Sequence, residues 1–454
     1  MRICLTVALL SLLLLAGLYS NLSEFRQSGT FATDPPSPYV HYTPQGRELG
    51  QILVVHGLDS SKEMMNLLSL GLSDAGFNVY AMDLPGHGDS KVGFNAILAG
   101  QAINAALDSL GPNTIVIGHS LSGALLLDLA ADRSFGTMVL LSPAPTPVDG
   151  IRASRVLVLT GRFDLPRIRS FVPRLKDAGA GSIELQTVPW SGHAGYILQP
   201  GTIRKIVAWL GGDASRLNTS RRIFFSLLGI VSAMLIAVLW FQGSSIASEP
   251  VNPRKTILLY ISACTLALLI CGAGVVWTGL RLFATDYLVS FVLLMGIALT
   301  PWTIRKCTRK FSQIPVGLFA AACVIAFAVF IGSELVHLTV NGGRLWRFAA
   351  IALAVLPLSF ADEVLLRTIR PWWKAAGIAA LTRILMASFM VTGVLTTNRN
   401  DAFLVLIVHF IVLLWMALWL IGELLRRRTQ DPLATAVFTA LIQAWIFAAV
   451  FVLT

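Results

Sequence analysis

The stretch Thr114-Ile115-Val116-Ile117-Gly118-His119-Ser120-Leu121-Ser122-Gly123-Ala124-Leu125-Leu126-Leu127-Asp128 decides how this chain folds. Thr114 to Ile117 is a short β-branched run bounded by Gly111-Pro112, the pattern of a buried strand. Ala124 to Ala131 is a run of strong helix formers. Between them the chain must reverse within Gly118 to Ser122. Such a turn strains its central residue and leaves that side chain exposed above the sheet. Gly118, Ser122 and Gly123 are small enough for strand and helix to pass closely. Ser120, at the apex, is placed as a nucleophile, and the amide of Leu121 points at the developing oxyanion. Ser122 stands where the G-x-S-x-G pattern has its second glycine, a small departure. Taken alone, the stretch reads equally well as a chance Gly-x-Ser in any α/β turn.

The surrounding composition is not that of a soluble chain. Apolar residues make up 55% of the 454 and charged residues 13%. Mean hydropathy is +0.71. Much of the chain is therefore expected to be solvated by lipid. The formal charge of +11 is dispersed, much of it in short clusters beside apolar segments, as membrane topology requires. A nucleic-acid partner is not indicated. None of the five cysteines lies between residues 5 and 263, so the first half has no disulfide framework and no Cys-based metal site.

Upstream, Arg2 precedes the apolar run Ile3 to Leu18, which suits a signal sequence or an uncleaved signal anchor over residues 1–20. Residues 21–38 read as a linker, stiffened around Asp34-Pro35-Pro36-Ser37-Pro38. From about Tyr39 to Gly212 strands and helices alternate. Strands are expected at 52–56, 78–84, 114–117, 137–142, 155–160 and 182–188, with helices between them. Such alternation builds a mostly parallel sheet covered on both faces, with functional residues at the carboxyl ends of its strands.

Four further motifs resemble the α/β-hydrolase family. Val55-His56-Gly57-Leu58-Asp59 is similar to its oxyanion loop, and Asp83-Leu84-Pro85-Gly86-His87-Gly88-Asp89-Ser90 to its D-x-P-G-H-G-x-S turn. Gly161-Arg162-Phe163-Asp164 resembles the loop presenting the acid, and Ser191-Gly192-His193 the loop presenting the histidine. The resemblance implies a Ser120, Asp164, His193 triad in the chain order of that fold. It also implies backbone donors at Leu58 and Leu121, and no metal or organic cofactor. Only 21 residues separate Pro143 from Asp164, which leaves no room for the helical cap many members insert. His56 and His87 are read as shaping the site, His119 as pointing away from the Ser120 side chain beside it, Asp83 as an alternative acid less favoured than Asp164, Asp59 as lining the mouth, and Trp190 and Tyr196 as packing or substrate contacts.

After Gly212 eight apolar segments follow: 223–241, 256–280, 286–302, 315–337, 348–366, 376–396, 402–422 and 433–453. Most reach spanning length, so residues 223–454 are expected to form an all-α multi-pass membrane domain. Alternate loops carry twelve and four basic residues, which puts the richer side in the cytoplasm and the hydrolase-like domain outside it. Arg221 and Arg222 vote the other way. Asp362-Glu363-Val364-Leu365-Leu366-Arg367 resembles the E-E-x-x-x-R motif of CAAX-protease-like intramembrane metallo-endopeptidases. That family needs histidines on later helices, but Gly393 stands at one such position and 432–454 holds none. The plainer expectation is a structural ion pair, Glu363 to Arg367, one turn apart.

The leading functional expectation is a membrane-tethered serine hydrolase cleaving an ester, thioester or amide, with a small-molecule or lipid-derived acyl substrate. The alternatives are a non-enzymatic membrane scaffold with a ligand-binding hydrolase-like domain, and a metallopeptidase using Glu363. Oligomeric state is not legible.

Overall fold

The computed structural model describes residues 10, 26–44, 46–58, 60–148, 150–178, 181–193, 195–241, 252–277, 279–280, 285–306, 313–332, 342–367, 369–397, 403–429 and 431–450. The expected anchor, apart from Leu10, lies outside these residues, as does Asp59. The described residues from Arg26 to Leu227 form the body of one compact unit, and the described residues 228–331 and 342–450 belong to another.

The first unit is built on eight strands: β1 Arg26–Phe31, β2 Ser37–Tyr42, β3 Gly50–Val55, β4 Phe77–Met82, β5 Ile115–His119, β6 Phe135–Leu141, β7 Ala153–Gly161 and β8 Ile183–Val188. They lie in the order β1-β2-β4-β3-β5-β6-β7-β8. From β4 to β8 all pairings are parallel. Five helices accompany them: α1 Asn66–Asp74, α2 Ala96–Leu110, α3 Leu121–Leu129, α4 Pro166–Phe171 and α5 Pro200–Trp209. A single stretch of sequence serves two cores, because successive side chains on a strand face opposite sides. Leu53, Val55, Val116, Leu140, Val156 and Val158 pack with α2 and α3. Their neighbours Ile52, Val54, Ile117, Val139, Leu157 and Leu159 pack with α1 and α5. That is why these strands read as continuous apolar runs and not as alternating ones.

The expected linker is not free chain. Residues 26–42 do run extended, but they pair antiparallel as β1 and β2, and β2 joins β4. Aromatic packing accounts for this: Phe31, Tyr39 and Tyr80 meet with ring centroids 4.4 to 6.0 Å apart, across three strands.

The sheet order places the site. The chain leaves β3 for α1 on one face, and leaves β5 for α3 on the other, while β3 and β5 are neighbours. The crevice beyond their carboxyl ends is the position where open α/β sheets hold ligands.

The second unit contains α6 Thr219–Trp240 from Leu228 onward, α7 Pro253–Gly272, α8 Thr285–Lys306, α9 Ile314–Gly332, α10 Gly342–Leu366, α11 Trp372–Thr396, α12 Phe403–Arg426 and α13 Pro432–Val450. Seven helices, all but α9 of this set, are long and apolar enough to cross a membrane by length and composition. The expected segment 315–337 is described only as far as Gly332, as α9.

Within this unit Glu363 does not take the partner one turn away. Arg426 donates to both of its carboxylate oxygens at 3.0 to 3.2 Å. Arg367 instead donates Nη2 to the carbonyl of Thr429 at 2.9 Å. Asp362 accepts from Arg383 and from the Tyr260 hydroxyl. Helix packing, bringing α10, α11 and α12 together, overrides the sequence-local pair. These residues do not suit the metal that the resemblance implies, since each carboxylate is occupied by a guanidinium. At Gly393 a Cβ would lie 2.0 Å from the Tyr287 hydroxyl oxygen, so a histidine has no space there.

Candidate active site

Ser120 forms the turn that β5 and α3 demand. Its backbone sits at φ 53°, ψ −110°, a conformation non-glycine residues rarely adopt. Close packing enforces it. A Cβ on Gly118 would come within 2.6 Å of Leu126, and one on Gly123 within 2.8 Å of Pro143. Ser122 is tolerated at the second glycine position for a visible reason: its buried hydroxyl donates to the carbonyl of His56.

The loop after β7 carries Asp164, and the loop after β8 carries His193. The two are clasped by Phe163 N–H, which donates to Ser191 O at 2.8 Å, and Arg162 N–H, which donates to Val188 O at 2.9 Å. His193 lies between the other two side chains. Its Nδ1 is 2.9 Å from Asp164 Oδ1, and its Nε2 is 2.9 Å from Ser120 Oγ. An ionised carboxylate only accepts, so Nδ1 carries the proton and Nε2 is left to accept from the serine hydroxyl. The structure therefore brings together Ser120, Asp164 and His193, residues separated by up to 73 positions.

Asp164 is buried, which by itself would raise its pKa. Hydrogen bonds and the charge of His193, a hydrogen bond from Ser142 and the Leu165 amide outweigh that, and the carboxyl is held below its usual range. The Ser142 contribution had no signal in the sequence. Ser142 follows β6 in a positive-φ conformation (44°) and its hydroxyl donates to Asp164 Oδ2.

Leu58 lies in the loop after β3, and Leu121 opens α3 directly after Ser120. Gly57 lets that loop approach: a Cβ there would be 2.8 Å from His119 Nδ1 and 3.0 Å from Ser120 Cβ. No helix interrupts the described residues between β6 and β7, as expected for a capless domain.

The remaining candidates support the loops. His56 donates Nδ1–H to Gly57 O and accepts Leu84 N–H on Nε2. Burial holds its pKa well below the usual imidazole value. His87 packs 5.3 Å from Phe94 and donates to Pro85 O. His119 reaches further than its position beside Ser120 suggested. Its Nε2–H donates to the carbonyl of His193 at 3.0 Å, and burial lowers its pKa to about 4. Asp83 is engaged elsewhere. Lys62 donates to it through its backbone amide at 2.8 Å and its ammonium at 2.6 Å, and the same ammonium binds Glu63 and Asp89. The three carboxylates converge closely enough to suit a metal ion, but the Lys62 ammonium already sits among them. Trp190 is exposed, and the Tyr196 side chain lies outside the described set.

Residues 52–232 match the Alpha/beta hydrolase family. The chain is similar to a predicted CIB-like hydrolase from Thermoplasma acidophilum, at 21% identity over 41% of this chain and 97% of that one, TM-score 0.36. It is similar to the carboxylesterase CesB from Bacillus subtilis, at 16% identity over 44% and 98%, TM-score 0.35. A third similar structure is an α/β serine hydrolase without lid from Xanthomonas campestris, at 14% identity over 41% and 92%, TM-score 0.36. No curated protein matches the chain.

Proposed function

We propose that the α/β-hydrolase domain is a serine hydrolase that cleaves an ester, thioester or amide bond through an acyl-enzyme, on a small or lipid-derived acyl substrate. The observation that supports this is His193, hydrogen-bonded at 2.9 Å to both Ser120 and Asp164. Ser120 Oγ attacks the substrate carbonyl while its proton passes to His193 Nε2. Asp164 holds the tautomer and stabilises the imidazolium. The backbone amides of Leu58 and Leu121 receive the oxyanion, each donor contributing very roughly 3 kcal/mol. His193 then returns the proton to the leaving group, and water repeats the sequence to release the acid. The residues supply this chemistry without a metal or organic cofactor. On this reading the seven long apolar helices, with the apolar segment 315–337 as an eighth span, tether the domain in a membrane, and the excess of basic residues in alternate loops of that eight-span topology argues for the extracytoplasmic side.

The test is Ser120→Ala in the full-length protein. Labelling by a fluorophosphonate should vanish, and turnover of a short acyl ester should fall at least about a thousandfold. Labelling that survives the substitution removes Ser120 from the mechanism.

A further inference from the structure

The first helix long enough to span a bilayer begins inside the first unit. At the start of α6 Ser220 and Arg221 are exposed, while Thr219 and Arg222 are buried. Beyond Arg222 the exposed large side chains of this helix turn apolar: Phe224, Leu227, Val231 and Leu235. No charged residue stands between Arg222 and Glu249. The 18 residues from Ile223 to Trp240 make about 27 Å of helix, against a hydrocarbon core of about 30 Å. Such a helix has no length to spare, so the boundary between water and lipid falls within about one turn of Arg222.

That boundary lies against one edge of the sheet. Helix α1 returns from the carboxyl end of β3 to the amino end of β4, which puts its last residue, Asp74, at the amino edge. At the same edge Leu49, just before β3, donates its N–H to Gly76 O at 2.9 Å. Here α6 is pinned. Asn218 N–H donates to Asp74 Oδ2 at 3.0 Å, and the buried Arg222 guanidinium donates to both oxygens of that carboxylate. Ile223 packs against the core that α1 and α5 share with the strands. The contacts advance together along the two helices. A Cβ on Gly71 would lie 3.3 Å from Thr219 Oγ1, and Asp74, three residues on, meets Arg222, also three residues on. The spanning helix therefore sets off in the sense of α1, toward the amino edge and past it. A pair buried on both sides is costly to separate, so this start is fixed.

Ser120 stands at the other edge. To reach it from the amino edge the chain climbs the whole of β5, Ile115–His119, roughly 20 Å at about 3.3 Å per residue. An acyl chain held in the bilayer would have to leave it over that distance. Each methylene drawn into water costs about fourfold in population.

We propose that α6 holds the first unit with the amino edge of its sheet at the bilayer and the mouth over Ser120 facing water. The acyl group cleaved then belongs to a water-soluble ester, thioester or amide, and not to a lipid of the membrane that carries the protein. The substrate half of the proposal narrows the serine-hydrolase reading and rests on it; the orientation half does not.

Leu49 and Ile97 are exposed reporters of the two edges, since Leu49 precedes β3 and Ile97 lies in the first turn of α2, after the carboxyl end of β4. To test the orientation, Cys4, Cys264, Cys271, Cys307 and Cys323 are replaced by alanine in the full-length protein. One spin label is then attached through Leu49→Cys or Ile97→Cys, in phosphatidylcholine vesicles. Nickel chelated on lipid headgroups should relax the label at 49 and leave the label at 97 as it is in vesicles without nickel. Equal relaxation at the two positions, or stronger relaxation at 97, overturns the orientation.

The unchanged protein in the same vesicles gives the second measurement. It should cleave p-nitrophenyl butyrate from solution at least about a hundredfold faster than a fluorogenic phosphatidylcholine placed in its own bilayer. Comparable rates overturn the water-soluble substrate and leave the hydrolase reading intact. Turnover of neither ester, with no fluorophosphonate labelling, overturns the hydrolase reading and the substrate half with it, while the spin labels decide the orientation independently.

Discussion

Ser142 donates its hydroxyl to Oδ2 of Asp164, while Oδ1 of the same carboxylate faces His193 Nδ1 at 2.9 Å and accepts Leu165 N–H at 2.7 Å. Both oxygens of the acid are therefore held, so its plane and the imidazole it orients are fixed together. Replacing Ser142 by alanine removes one of the bonds that keep the Asp164 carboxyl below its usual range. A lost bond to a charged group costs about 1.5–3 kcal/mol, so kcat on a soluble ester should fall roughly tenfold or more. A depressed carboxyl gives stability that is present above the unfolded pKa and is lost as pH falls. The variant should accordingly lose less stability on acidification than the parent. Steady-state rates and unfolding midpoints across acidic pH check both points.

Three buried imidazoles should make the first unit sensitive to acid. Burial lowers His56 and His87, and brings His119 to about 4. Unfolded imidazoles titrate near about 6.5. Below that value the unfolded chain takes up protons that the folded domain refuses, so stability present at neutral pH is lost as pH falls, with His119 a contributor between its lowered value and about 6.5. His119→Gln keeps a donor for the His193 carbonyl and removes the titration. Thermal unfolding against pH should show a flatter slope for that variant.

The Lys62 ammonium is bonded to three carboxylates, and burial together with Glu63 pushes Asp83 up to about 7 despite that ammonium. Lys62→Met should destabilise the protein by about 3–5 kcal/mol at neutral pH, because buried charges are left uncompensated. Acidification should recover part of the loss as the carboxylates protonate. A loss that does not depend on pH would point to packing as the cause.

In the helical unit, Arg426 bridges Glu363 and Glu423, and Glu363 is not served by Arg367. Arg426→Met should therefore lower the unfolding midpoint in detergent far more than Arg367→Met. Removing one partner of a buried pair costs about 3–5 kcal/mol. Adding Glu363→Gln to Arg426→Met should restore a measurable part, which a double-mutant cycle reads directly.

Local patterns in the sequence determined a good deal. The apolar strand runs, the helices between them, the turn at Ser120 and the loops of Asp164 and His193 were all legible. Each is set by steric rules acting over a few residues: β-branched runs, helix formers, and glycines where backbones pass. Tertiary packing decided the rest. It paired residues 26–42 into the sheet, set Ser142 against Asp164, surrounded Lys62 with three carboxylates and gave Glu363 an arginine 63 residues away in place of the one four residues on. The reason is physical. Periodicity reports which side of an element is apolar, whereas a buried polar group binds whichever partner packing brings within about 3 Å. That choice is long-range, and spacing along the chain does not encode it.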